Sequence, residues 1–130
     1  MSDFRASCQC GAVHVQSVAK PFFVAACNCT ACQKKTGSPL GSGVFFQKGD
    51  LSVSGNTSTW TRTSDAGNDL TSHFCPHCGT TVYWFNAGAP ERVAVSYGCF
   101  DTPAPTPDKI VWGRNKVDWV QFSDDIPVVD

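Results

Sequence analysis

The 130-residue chain has no apolar run near the ~18 residues needed to cross a bilayer. It also lacks a basic stripe and an acidic tail: ten Lys plus Arg stand against eleven Asp plus Glu. That near balance removes the electrostatic footprint expected of a nucleic-acid binder. It also removes the charge excess expected of a disordered tail. The start, Met1-Ser2-Asp3-Phe4-Arg5, has no apolar core of the kind a secretion signal carries, so the expected location is the cytoplasm. No internal repeat and no long helical period is present. With 42% hydrophobic and 12% aromatic residues, the length suits one domain over 1–130 with a real core.

What is there is cysteine, eight residues of it. In a reducing compartment clustered thiols serve metals or redox chemistry rather than disulfides. The spacing agrees, because a Cys-x-Cys pair cannot bridge to itself without strain. Cys27-Asn28-Cys29-Thr30-Ala31-Cys32 places three thiols in six residues. Cys8 and Cys10 precede it, Cys75 and Cys78 follow it, and Cys99 stands apart as a packed core thiol.

The elements expected around these clusters are mostly strands. Val13 and Val15 alternate with His14 and Gln16, which predicts a half-buried strand with His14 on its polar side. Phe22 to Ala26 is a short buried run leading into Cys27. Thr30-Ala31-Cys32-Gln33 matches a capping box. With Gly37 as the terminating residue, a short helix is expected from about Ala31 to Thr36. Its first turn would favour an anionic Cys32. Further strands are expected around Val44–Phe46, Leu51–Val53, Thr57–Thr63, Leu70–Phe74, Thr80–Phe85 and Arg92–Tyr97. Gly55-Asn56 reads as a hairpin turn between the second and third of these. Pro103, Pro105 and Pro107 make 101–108 an irregular loop.

Cys8-Gln9-Cys10-Gly11 and Cys75-Pro76-His77-Cys78-Gly79 share one design: a thiol pair, a glycine, then a strand. Glycine there lets the backbone turn its amides towards the sulfurs. Structural zinc takes four protein ligands and catalytic zinc takes three, leaving a position for water or substrate. Seven clustered thiols therefore divide as a closed site of Cys8, Cys10, Cys75 and Cys78 and an open site of Cys27, Cys29 and Cys32. All-thiolate tetrahedral sites belong to zinc or iron–sulfur, and no ferredoxin spacing is present. Two zinc ions per chain follow, the second the more labile because its thiols are more accessible. A zinc ribbon of Cys29/Cys32 with Cys75/Cys78 is a second division. It needs 42 residues between the pairs (33–74) against ~15–20 in the usual pattern. A single bridged cluster is a third.

The order Cys-x-Cys-Gly, Cys-x-Cys-x-x-Cys-x-x-x-x-Gly and Cys-x-x-Cys-Gly before an aromatic strand resembles the glutathione-dependent formaldehyde-activating enzyme family, which includes relatives of centromere protein V. Val95 to Asp101, Trp119 and Asp125-Ile126-Pro127 also fit its late segments. The resemblance implies a mainly β, β-tent-like fold of small antiparallel sheets with one short helical turn. It implies two zinc sites divided four and three, and a carbon–sulfur lyase that joins or cleaves glutathione, or another small thiol, and formaldehyde. Asn28 departs from the family pattern, which has histidine between the first two cysteines of the triplet.

At the open site, zinc with three thiolates carries a net charge near −1, which favours capture of a thiol as thiolate over strong polarisation of an aldehyde. Lys34 and Lys35 follow the triplet and are candidate contacts for a substrate carboxylate or a developing alkoxide, against the plain reading of solvated helix lysines. Trp84, Phe46 and Tyr83 are candidate pocket walls or core residues. His77, between two ligands, is expected to point away from the metal. The rival to a lyase is a non-catalytic, zinc-stabilised binding module.

Overall fold

The computed structural model describes residues 4–102 and 104–130. Met1, Ser2, Asp3 and Pro103, and with them most of the segment judged above for secretion, lie outside these. Among the described residues the chain is mainly β, built as two sheets with one α-helix. No helix among them is long and apolar enough to cross a membrane.

The smaller sheet is antiparallel and joins β1 (Phe4–Ser7), β2 (His14–Ser17) and β5 (Leu51–Ser54) in that order. The larger has seven strands: β3 (Phe23–Cys27), β4 (Gly41–Gln47), β6 (Ser58–Thr63), β7 (Asp69–Phe74), β8 (Thr81–Asn86), β9 (Arg92–Ser96) and β10 (Lys109–Val111). Their spatial order is β10-β3-β4-β9-β8-β7-β6, antiparallel except for the parallel pair β10–β3. Helix α1 (Thr30–Thr36) connects β3 to β4.

Alternation along the strands divides the large sheet into two faces. Val24 of β3, Val44 and Phe46 of β4, Val93 and Val95 of β9 and Tyr83 of β8 are buried in one core with Ala6, Val13 and Val15 of the small-sheet side. The residues between them form the opposite face. There the register lines up Phe23, Phe45, Ala94, Trp84, Ser72 and Trp60 in a row across six strands. The first face holds the sheets together; the second carries the site.

The expected strands are present with ends shifted by up to three residues, and His14 is exposed at the start of β2. The hairpin expected at Gly55-Asn56 is not. β5 pairs with β2 and β6 pairs with β7, so these residues carry the chain from one sheet to the other. Gly55 has φ +95°, and a Cβ there would collide with the Ala12 carbonyl. Glycine is needed for a close crossing under the first thiol loop, a demand that looks the same in sequence as a hairpin turn. The proline-rich stretch is irregular where it is described.

Candidate metal centres

Cys8 and Cys10 sit on the turn between β1 and β2, and Cys75 and Cys78 on the turn between β7 and β8. Both turns are built alike. The Cys8 N–H donates to the Val13 carbonyl at 3.0 Å and the Cys75 N–H to Thr80 at 2.9 Å. Gly11 and Gly79 have φ of +85° and +80°, and their N–H groups close back onto the Cys8 and Cys75 carbonyls. The Val13 amide donates to Cys8 Sγ at 3.2 Å and the His77 amide to Cys75 Sγ at 3.4 Å. The His77 residue itself is exposed. The four Sγ atoms lie within 4.8 Å of one another, with Cys8 and Cys75 buried and Cys10 exposed. Thr80 Oγ1 lies 3.2 Å from Cys78 Sγ and, with the Thr80 backbone, draws that thiol down to about 5.

The Sγ atoms of Cys27, Cys29 and Cys32 also lie within 4.8 Å of one another. β3 ends at Cys27, Cys29 caps α1, and Cys32 lies in its first turn. The cap differs from the sequence expectation. Cys29, not Thr30, is the N-cap, and its sulfur accepts from the Cys32 amide at 3.4 Å. Gln33 does not close a capping box; its Nε2 donates to the Asn28 and Asn115 carbonyls at 2.7 and 3.2 Å. A thiol that can cap a helix and ligate a metal displaces the hydroxyl in the first role. Gly37 ends the helix in the left-handed conformation, as expected.

Asn28 is 1% exposed. Its backbone N–H and side-chain Nδ2 both donate to the Val111 carbonyl at 3.1 Å. The residue that departs from the family pattern thus pins the triplet to β10. No single-sequence pattern pairs position 28 with position 111.

The triplet opens onto a cleft of about 680 Å³ on the outer face of the large sheet. Phe45, Ala94, Trp84, Leu70 and Arg62 line it from β4, β9, β8, β7 and β6. A Cβ at Gly41 would come within 3.1 Å of Cys32 Cβ, and one at Gly43 within 3.0 Å of the Trp84 ring. These two positions leave room for the triplet and the indole against β4. Lys35 Nζ stands 3.3 Å from the centroid of the Trp84 ring, a cation–π contact. Lys34 is exposed. Of the three aromatic candidates, Trp84 lines the cleft, whereas Phe46 and Tyr83 are buried in the core behind it.

The electrostatics of the triplet are uneven. A hydrogen bond from Cys27 pulls the Cys32 thiol down to about 6, and the positive charges of Lys35 and Arg62 act the same way. The same contact with Cys32 pushes Cys27 up. Burial pulls Lys35 down, against the opposing effect of Cys32. Cys99 stands outside both groups, 3.9 Å from the Thr81 carbonyl, with burial pushing it up to about 11. Sequence reasoning missed Arg62, Trp112, Asn115 and Asp65 as cleft residues. The alternation of β6 placed Arg62 in phase with Trp60, but nothing in it pointed to this cleft.

A model of the glutathione-dependent formaldehyde-activating enzyme family matches residues 3–115. A Halomonas elongata protein named for that family is 33% identical over 128 residues, spanning 89% of this chain and 78% of its own. An uncharacterized lyase of Schizosaccharomyces pombe is 27% identical over 84 residues, spanning 65% of this chain and 58% of its own. The crystal structure of a Rhodobacter sphaeroides protein shares the fold, with a TM-score of 0.60 at 20% identity over 78% of this chain and 91% of that one.

Proposed function

The chain belongs to the glutathione-dependent formaldehyde-activating enzyme family, and from that premise we propose that it is a zinc-dependent carbon–sulfur lyase acting at Cys27, Cys29 and Cys32. The reading is carried by one observation: the three-thiol group forms part of the cleft wall, and the four-thiol group does not. A closed four-thiolate site suits a structural ion and an open three-thiolate site a reactive one.

The sulfur spacing supports zinc at the closed site. Tetrahedral zinc with Zn–S bonds of about 2.3 Å sets its sulfurs about 3.8 Å apart. The Cys8–Cys10 and Cys10–Cys75 sulfurs are 3.7 Å apart. Cys27, Cys29 and Cys32 offer a compatible soft donor set with one position left for substrate. Zinc bound there supplies a centre at which an incoming thiol is held as thiolate.

In the forward direction a thiolate sulfur attacks the carbon of formaldehyde. The S–C bond forms, the C=O π pair moves to oxygen, and that oxygen takes up the proton the thiol gave up. The product is an S-hydroxymethyl thioether, and cleavage is the reverse. Lys35 lines the neighbouring cavity rather than the cleft itself, over the Trp84 ring that the two share, and its charge reaches Cys32; it is the proposed proton donor to the developing alkoxide. Burial lowers its affinity for the proton, which suits that transfer. Trp84 and Phe45 present apolar surface to the reacting carbon and limit access of water.

NMR of formaldehyde with glutathione, with and without protein, tests the reading. The wild type is expected to accelerate formation of the adduct. Cys32→Ser is expected to lose the acceleration, with zinc content falling from two ions per chain to one. No acceleration with any of several thiols and aldehydes would overturn the proposal.

A further inference from the structure

Trp112 follows β10 directly and lines the cleft in an unusual backbone state. Its φ is +58° and its ψ +43°, the left-handed conformation. Among the described residues it is the one residue other than glycine with a positive φ. For a bulky side chain that conformation is unfavourable, and it persists only where the surroundings over-determine it. Burial of the indole does not supply the restraint, because the residue is 38% exposed. Arg114, whose guanidinium stands 5.4 Å from the ring centroid, is itself exposed.

The restraint comes from the backbone on either side. Towards the triplet, Asn28 holds the Val111 carbonyl and Gln33 holds that of Asn115. On the other side, residues 127–129 run parallel to β10, with Val128 opposite Ile110. The Ile110 N–H donates to the Pro127 carbonyl, the Val129 N–H to the Ile110 carbonyl, and the Gly113 N–H to the Val129 carbonyl, each at 2.8 Å. Gly113 lets the segment lie close: a Cβ there would come within 2.8 Å of Val128 Cγ1 and 3.2 Å of the Val129 carbonyl oxygen. Ile110 is fully buried, whereas Val128 and Val129 are exposed. Residues 128 and 129 therefore add little apolar burial. What the segment supplies is three hydrogen bonds that converge on Ile110 and Gly113, the residues that bracket Val111 and Trp112.

We propose that residues 127–129 are a positioning strap for the cleft: by bonding Ile110 and Gly113 they hold Trp112 in the left-handed state that sets it on the cleft wall. Val129 is the positioning residue, since its N–H and its carbonyl both take part. Released from the strap, Trp112 relaxes to an ordinary backbone and leaves the wall, while the sheet behind it stays folded. The cleft then widens next to Val111, the strand partner of Cys27. The device is independent of the reaction the cleft carries.

Fluorine NMR of the full chain labelled with fluorotryptophan tests the strap. The four lines, from Trp60, Trp84, Trp112 and Trp119, are assigned by single replacements with Phe. Trp84, packed against Gly43 with Lys35 over its ring, reports the fold. Val129→Pro removes the N–H that bonds Ile110, whereas Val129→Ala keeps it. Val129→Pro is expected to move the Trp112 line to the position of solvent-exposed fluorotryptophan and to leave the Trp84 line in place. Val129→Ala should keep both lines at their wild-type positions, which a role confined to side-chain packing would not. A chain shortened to end at Asp125 should repeat the proline result. An unmoved Trp112 line in either Val129→Pro or the shortened chain would overturn the proposal, as would equal shifts in Val129→Pro and Val129→Ala. If one of the two disrupted chains fails to fold, seen as the Trp84 line moving with that of Trp112, the other decides. Joint movement in both makes the segment a fold element and overturns the strap.

Discussion

Asn28 and Cys99 show how much a single position depends on what folds against it. Between the first two cysteines of the triplet, asparagine looks like a loss of function relative to the family's histidine. In the structure it is a buried tie to Val111. Asn28→Ala is expected to cost about 1–2 kcal/mol in denaturant unfolding, the range for a buried hydrogen bond whose acceptor keeps a second donor. An unchanged unfolding midpoint would show that the backbone N–H of residue 28 holds Val111 alone. Cys99 is the thiol outside both clusters, and burial raises it to about 11 from an ordinary 9.0. Below both values its thiolate fraction is lower by about two powers of ten, and only the thiolate reacts. Iodoacetamide at pH 7.5 should therefore modify Cys99 about a hundredfold more slowly than a free cysteine, as read by peptide mass spectrometry, with the rate rising as pH rises towards 11. Modification at the free-cysteine rate would contradict its packing.

At the scale of elements, the connection between β5 and β6 separates the two sheets. Gly55 has a backbone that other residues rarely adopt, beneath the Ala12 carbonyl. Gly55→Ala adds both a strained φ and a backbone collision, and a residue held in such a region costs about 1–3 kcal/mol. We expect a fall in melting temperature and a weakened four-thiol site, because Ala12 lies on the loop that presents Cys8 and Cys10. A wild-type melt would mean that the crossing relaxes freely. Helix α1 has no fully buried residue and only seven residues in all. Its stability comes from its ends: the Cys29 sulfur at the start, Gly37 at the finish, and Gln33 tying it to Asn28 and Asn115. Cys29 is both the cap and a member of the three-thiol group, so a metal held there would be coupled to order in this helix.

For the whole molecule, the four-thiol group joins chain segments 65 residues apart, with Cys10 and Cys75 sulfurs 3.7 Å from each other. It connects the small sheet to the far part of the large one. Zinc binding worth ~10–16 kcal/mol at a small structural site is comparable to the full stability of a domain. Cys8→Ser and Cys78→Ser are accordingly expected to abolish cooperative melting, whereas Cys32→Ser should leave the fold intact. Retention of the wild-type melt with full zinc in either of the first two would reassign the structural site.

Much of this was readable in the chain itself. Short spacing forces thiols of one motif to be neighbours, glycine after a thiol pair allows the turn, and period-two alternation marks the strands and their buried side. The grouping of Cys8 and Cys10 with Cys75 and Cys78 followed from two similar motifs and a ligand count. The tertiary structure decided what depends on which strands become neighbours. Alternation says that β5 and β6 each have two faces, but not that β5 joins β2 while β6 ends the other sheet. It places Arg62 in phase with Trp60, but only the order β4-β9-β8-β7-β6 brings Arg62 and Trp84 into one cleft with the triplet. The fate of Asn28 was likewise set by β10, which arrives 83 residues later. Local chemistry is written in spacing, whereas the shape of the cleft arises from long-range pairing that no local pattern encodes.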